Sequence, residues 1–417
     1  MIEFFYTAIN LLLLPFIVLG LVYRVFVGKE DLQRVNERFG LASISRPQGK
    51  VVWIHAASVG EAMSVSKLVD YLHEKKINIL FTSYTLNSSK AIQKKYGNKV
   101  IHQFIPIENY FTIKLFLRKW KPSLAIFVES EFWPMIIYQT SKDVEIISLN
   151  TRISNDTRKN WIKLRPFVKA MLSKVTYFYP QSKGDLEFIK SLGFANAKYL
   201  GNIKYSVNIP SPSRDVVNKL SESIGKRPVI TLFSSHNPEE NIFIDIFVKL
   251  KNKYHKLLLI ICPRHPERSE EITDILNKKN LRYAVRSKGE LPDSKTEIYI
   301  SNTIGELPVM FEISDLNIVG GSFNKDIGGH NPIEPAIQKK ASLMGPHHYN
   351  FSEIVEDFKT KKAIFICDDV KLLEEQIIEL LDNPSIVSKY GDSAYKVVKE
   401  KSKFIEENFF ELEERIK

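Results

Sequence analysis

Twice along this chain, short apolar β-rich runs alternate with segments of helix length, and that alternation limits the fold more than any other feature. The first series is Lys50–Ser58, Ile77–Tyr84, Val100–Ile105, Leu124–Val128, Glu145–Asn150, Thr176–Pro180 and Lys198–Leu200. The second is Val229–Phe233, Leu257–Cys262, Glu297–Ile300, Leu316–Val319, Ser342–Met344 and Ala363–Cys367. Parallel neighbours need a crossover long enough to carry a helix, so each series predicts a parallel sheet built from βαβ units. The Ser- and Pro-rich stretch Ser206–Pro228 separates them. A chain of 417 residues is also too long for one ordinary core. We expect an N-terminal segment at 1–27, a first Rossmann-like domain at 28–207 and a linker at 208–228. A second Rossmann-like domain is expected at 229–385, and a helical segment at 386–417 that packs back on the first domain.

Phe4–Tyr23 carries no charge and is about long enough to cross a bilayer. It begins after Glu3 and ends without small residues at a cleavage position, so it reads as an uncleaved anchor rather than a signal peptide. Pro15 and Gly20 leave open whether it spans the membrane once or embeds as a monotopic segment. Arg24, Lys29, Arg34 and Arg38 follow it, which predicts a body on the cytoplasmic face of the membrane. Cys262 and Cys367 both fall in apolar runs, in keeping with a reducing compartment. The net charge of +11 comes without zinc-finger spacing, RNP1 or a basic helix, so nucleic acid is not expected; anionic lipid suits it better.

Ligands of open parallel sheets bind beyond the strand C-termini, and the loops there carry the candidate chemistry. Ile318–Ile337 is the richest of them. Its pairs Gly320-Gly321 and Gly328-Gly329 allow close backbone approach, with Ser322, His330 and Asn331 between strand and helix. Pro332 is read as the first helical residue, giving a helix N-terminus suited to a phosphate, with Glu334 facing sugar hydroxyls. His55–Glu61 follows a strand: Ser58 precedes a turn at Gly60, and Glu61 opens a helix whose dipole is expected to lower its pKa. Glu129 and Glu131, beside Phe132 and Trp133, suggest a sugar-facing edge, and a metal pair there has little local support. His55 reads as a packing histidine. Ser234, Ser235 and His236 offer donors for a phosphate, as does Arg264 beside His265, while Lys204 supplies a second cation. Gly305 and Glu306 occupy one more strand-to-helix loop.

Together these loops resemble the Kdo transferases, membrane-anchored glycosyltransferases that move 3-deoxy-D-manno-octulosonic acid (Kdo) from CMP-Kdo to a lipid A precursor. The resemblance rests on HAASVGE at 55–61, ESEFWP at 129–134, GNIK at 201–204, SHNPE at 235–239, PRHPER at 263–268, GEL at 305–307 and GGHNPIEP at 328–335. Ser130 stands where threonine is expected and Asn302 where aspartate is, and neither change removes a proposed catalytic group. The resemblance implies a GT-B fold, two Rossmann-like domains facing across a cleft, with an N-terminal membrane anchor helix. It implies an inverting transfer with Glu61 as base and Glu129 and Glu131 as competing candidates. Ser58, Gly60 and Trp133 fall to the acceptor. Lys204, Ser234, Ser235, His236, Arg264, His265, Gly305, Glu306, Gly321, Ser322, Gly329, His330, Asn331 and Glu334 fall to CMP-Kdo. No metal or other cofactor is implied, and a bacterial inner-membrane location is. A GT-B enzyme using a UDP-sugar on a lipid-linked acceptor, or a non-catalytic binding protein of that shape, stays open as an alternative.

Overall fold

The computed structural model describes residues 2–207 and 209–416. The first residue of the expected anchor, the first of the linker and the last of the C-terminal segment lie outside them. The chain divides into two compact units, 1–208 with 401–417, and 209–400.

The first unit holds strands β1 (Val51–His55), β2 (Asn78–Ser83), β3 (Ile101–Phe104), β4 (Leu124–Val128), β5 (Glu145–Thr151) and β6 (Tyr177–Pro180). All pairings are parallel, in the order β3-β2-β1-β4-β5-β6. That is the doubly wound order in which the sheet reverses direction between β1 and β4. Helices cover both faces, so every residue of β1 and β4 is buried. Trp53 sits at the centre of this core, and its ring N–H is satisfied by Thr82 Oγ1 at 2.8 Å.

The second unit holds β7 (Val229–Ser235), β8 (Leu258–Pro263), β9 (Tyr283–Val285), β10 (Ile298–Ile300), β11 (Leu316–Val319), β12 (Ser342–Met344) and β13 (Phe365–Ile366). The parallel order is β13-β12-β11-β7-β8-β10-β9, which places its switch point between β7 and β11. The sequence reading missed β9, a three-residue edge strand flanked by charged residues. It also placed a strand at Lys198–Leu200, where only an isolated bridge, Phe178 to Ala197, joins β6. The expected linker contains a helix at Arg214–Ile224. Val217, Leu220 and Ile224 recur at helical spacing and are buried, and Gly225 ends the helix with φ +70°.

The apolar N-terminal segment is one helix, Ile2–Phe26, and Pro15 lies within it. Along one side, Asn10 is buried and bonded to the body: it accepts from Asn109 Nδ2 at 3.0 Å and donates to the Glu108 carbonyl. Leu12, Phe16, Leu19, Tyr23 and Phe26, spaced three or four apart, remain exposed. The basic flank is largely turned inward. Arg24 and Arg38 both pair with buried Glu30, at 2.8 and 2.9 Å, and Arg34 pairs with Glu37 at 2.9 Å.

Candidate active site

Because β1 and β4 adjoin at the first switch point, the chain brings their following loops together. Ser58 caps the helix Val59–Ser64 by accepting from Glu61 N at 3.2 Å. Glu61 in turn accepts from Ser58 Oγ and from Ala57 N, each at 2.8 Å, a variant of the reciprocal capping box. Gly60 is not a sharp turn: it lies inside the helix, and a Cβ there would meet only Ser58 Oγ at 3.9 Å. The expected lowering of the Glu61 pKa is also reversed. Burial raises it, and the charges of Glu131 and Glu129 add to the rise, outweighing the two donors.

The other two carboxylates are already engaged. Glu131 accepts from Trp133 Nε1 at 2.6 Å and lies 3.1 Å from His55 Nε2. Burial pushes its pKa up, but the His55 contact and the Trp133 N–H bring it below the ordinary value. His55 is therefore more than packing: Thr82 holds Nδ1 at 2.9 Å, which aims Nε2 at Glu131. Glu129 stands immediately after β4 with φ +60°, a backbone conformation costing roughly 1–3 kcal/mol for a non-glycine residue. It pairs with Lys204 at 2.9 Å, so Lys204 is bound to a carboxylate of the first unit. Asn150 fixes this partner's segment by accepting from Ile203 N at 3.1 Å.

At the second switch point, one buried side chain joins the loops after β7 and β11. Glu239 accepts from His236 N at 2.9 Å, Gly321 N at 2.7 Å and Phe323 N at 3.0 Å. Sequence reasoning gave it no role. Its signal was a glutamate three residues after a serine–histidine loop, which looks the same as a helix cap. Gly320 is needed here because a Cβ would sit 2.5 Å from the Ser234 carbonyl. Gly321, at φ +71°, leaves room for the His330 ring, 3.0 Å from where its Cβ would be. Gly329 N donates to Gly321 O at 2.8 Å, tying the two glycine pairs together.

Several expected phosphate donors are used inside the protein. Ser235 Oγ donates to Glu240 at 2.8 Å, and Ser322 Oγ accepts from Gly345 N at 2.8 Å. Glu306 is held by Arg286 Nε and Nη2, at 2.9 and 2.7 Å, and by Thr303; these partners lower its pKa, the Arg286 hydrogen bond most. Gly305, at φ +93°, turns the chain into the helix Leu307–Ile313. The helix at Ile333–Ile337 has only five residues, Pro332 caps it instead of opening it, and Asn331 Oδ1 takes up Ile333 N at 3.0 Å. Asn331 thus takes one N–H of the expected anion seat under that helix.

What remains presented is a different set. His236 and His330 share one hydrogen bond, Nε2 to Nε2, at 2.8 Å, and His265 sits edge-on to His236. Burial first, then Arg264 and the neighbouring histidines, lowers His330 to about 3, so this ring stays neutral. Arg264 is exposed, with no side-chain hydrogen bond to a described residue. Burial raises half-buried Glu334 to about 7 while Arg264 pulls the other way. Ser234, two residues before His236, has φ +54°.

Two parallel Rossmann-like units, each with its polar loops at the switch point, together with an N-terminal apolar helix, define the GT-B fold class. A glycosyltransferase structure from Rickettsia africae ESF-5 shares the fold, with TM-score 0.59 and 14% identity over 89% of this chain and 99% of that one. The family described as 3-deoxy-D-manno-octulosonic-acid transferase (kdotransferase) matches residues 33–207. The 3-deoxy-D-manno-octulosonic acid transferase of Rickettsia bellii is 32% identical over 406 residues, covering 96% of this chain and 97% of the relative. That of Haemophilus influenzae is 32% identical over 412 residues, 95% of each. The chain belongs to the 3-deoxy-D-manno-octulosonic acid transferase family.

Proposed function

We propose that this protein transfers Kdo from CMP-Kdo to a phosphorylated, acylated disaccharide, the lipid A precursor, in lipopolysaccharide biosynthesis. The observation that carries the reading is the unequal treatment of three clustered carboxylates. Glu129 has a lysine and Glu131 has two ring donors, while Glu61 keeps only Ser58 and Ala57 and a raised pKa. A general base works best with a pKa moved toward the working pH, which suits Glu61. Glu61 takes the proton of the acceptor hydroxyl, and the oxygen attacks the anomeric carbon of Kdo. The bond from that carbon to the CMP phosphate oxygen then breaks with inversion, and CMP leaves.

On the donor side, Arg264 meets the phosphate or the Kdo carboxylate, and the neutral His236–His330 pair fixes the direction of a ring donor. Glu334 is placed for nucleotide hydroxyls. The anchor helix is read as holding the body at the cytoplasmic face of the inner membrane, beside a lipid acceptor. Purified protein in detergent, given CMP-Kdo and tetra-acylated acceptor, should release CMP and yield a product heavier by one or more Kdo residues. Turnover with UDP-sugars and none with CMP-Kdo would sink this reading.

A further inference from the structure

The N-terminal helix does not simply leave the first unit. It touches the body at Asn10 and again at Arg24, fourteen residues or about 21 Å apart along the helix. Between these points lies a cavity of about 520 Å³, a size usual for small-molecule sites. Ile17, Gly20 and Leu21 of the helix form one wall, and Ile105, Ile107 and Ile136 of the body are among the residues opposite. The outer stripe of the same helix is exposed apolar surface.

Two further features limit what can enter. The charges at the cavity are matched within the protein. Glu30 is shared by Arg24 and Arg38, and Glu108 accepts from Met135 N at 2.9 Å and is pushed up by burial to about 7. Such a lining favours an uncharged, apolar occupant. His55 and Trp133 also line the cavity, and both contact Glu131, whose charge reaches Glu61. The cavity therefore leads from a membrane-type helix to the carboxylate cluster.

We propose that this cavity holds a fatty acyl chain of the acceptor while the sugar headgroup stands at Glu61. The proposal rests on the lipid-acceptor reading above and adds where, and by what, the lipid part is recognised. An occupied slot would orient the disaccharide hydroxyl toward the base and make transfer sensitive to acylation.

Gly20 gives a direct test, since a Cβ there meets nothing within 4 Å and a larger side chain enters free space. Gly20→Leu and Ile17→Trp would be assayed in detergent with CMP-Kdo on the acylated acceptor and on the same phosphorylated disaccharide with its chains removed. Displacing even two methylenes predicts a roughly tenfold or greater fall in kcat/KM for the acylated acceptor, carried by KM. The de-acylated acceptor should change less than about twofold by the same reasoning. Equal losses on both acceptors, or no loss on either, would overturn the proposal. Binding of a fluorescent C14 fatty acid reads the cavity without transfer. Affinity should drop in Gly20→Leu relative to wild type, and unchanged affinity is contrary evidence. Should the wild-type enzyme bind this probe at Gly20 yet transfer nothing from CMP-Kdo, the function reading fails and the cavity stands.

Discussion

The polar loops of the two units present different groups. In the first unit Glu61, Glu129 and Glu131 lie with Lys204 and His55; in the second His236, His265 and His330 lie together, and Arg264 acts on both His330 and Glu334. The folds beneath are alike, with parallel strands and a reversal in the middle. What differs is the charged side chain that each site presents. In the first unit that is Glu61, raised and poised to gain a proton; in the second it is Arg264, poised to meet an anion. Position on the fold locates a site, and the residual partnering of its charges tells what the site does.

The largest expected effect attacks the first half of that contrast. Glu61→Gln should lower kcat by ~10²–10⁴-fold with CMP-Kdo affinity kept, by single-turnover kinetics and calorimetry. Near-normal turnover in Glu61→Gln, with loss in Glu129→Gln or Glu131→Gln, would move the base elsewhere. Next comes the stitch of the second unit. Glu239→Ala leaves three N–H groups without an acceptor and should cost about 3 kcal/mol in urea unfolding of the full chain. A change within error would show that water replaces the carboxylate. Arg264→Ala should weaken donor binding by about 1.5–3 kcal/mol while leaving the unfolding midpoint in place. The smallest effect concerns pH. As the proposed base Glu61 must be ionised to act, so kcat should fall as pH drops through its pKa, which lies above the ordinary glutamate value. Glu131→Gln removes a negative neighbour, so the acid limb of the kcat profile should move to lower pH; an unmoved limb would mean the carboxylates do not sense one another.

Much of this was readable from the residues because strand ends are local. A run such as VVWIH followed by AASVGE, or LAIFV followed by ESEFWP, announces a parallel strand and the loop beyond it. Both loops fall at the switch point, as do SHNPE and the paired glycines. The partnering within those loops was not readable. Lys204 meets Glu129 across 75 residues, and Arg286 meets Glu306 only because β9 and β10 are neighbours. The direction of the Glu61 shift was misjudged for the same reason. A helix dipole is visible in sequence, while burial beside two other carboxylates is a property of the folded sheet. The cavity under the first helix was hidden too, since an uncharged run looks alike on every side until Asn10 finds the body.

The last seventeen residues belong to the first unit, which the chain otherwise leaves at residue 208. Phe409 and Leu412 are buried there, Lys67 pairs with Glu406 at 2.8 Å, and the Arg415 guanidinium lies over Tyr177. During synthesis, amino-terminal domains ordinarily fold as they emerge from the ribosome. Here the unit begun first waits for nearly two hundred intervening residues before it can close its surface around these side chains. Chains cut short anywhere in the second half would expose that unfinished face and fall to protein quality control.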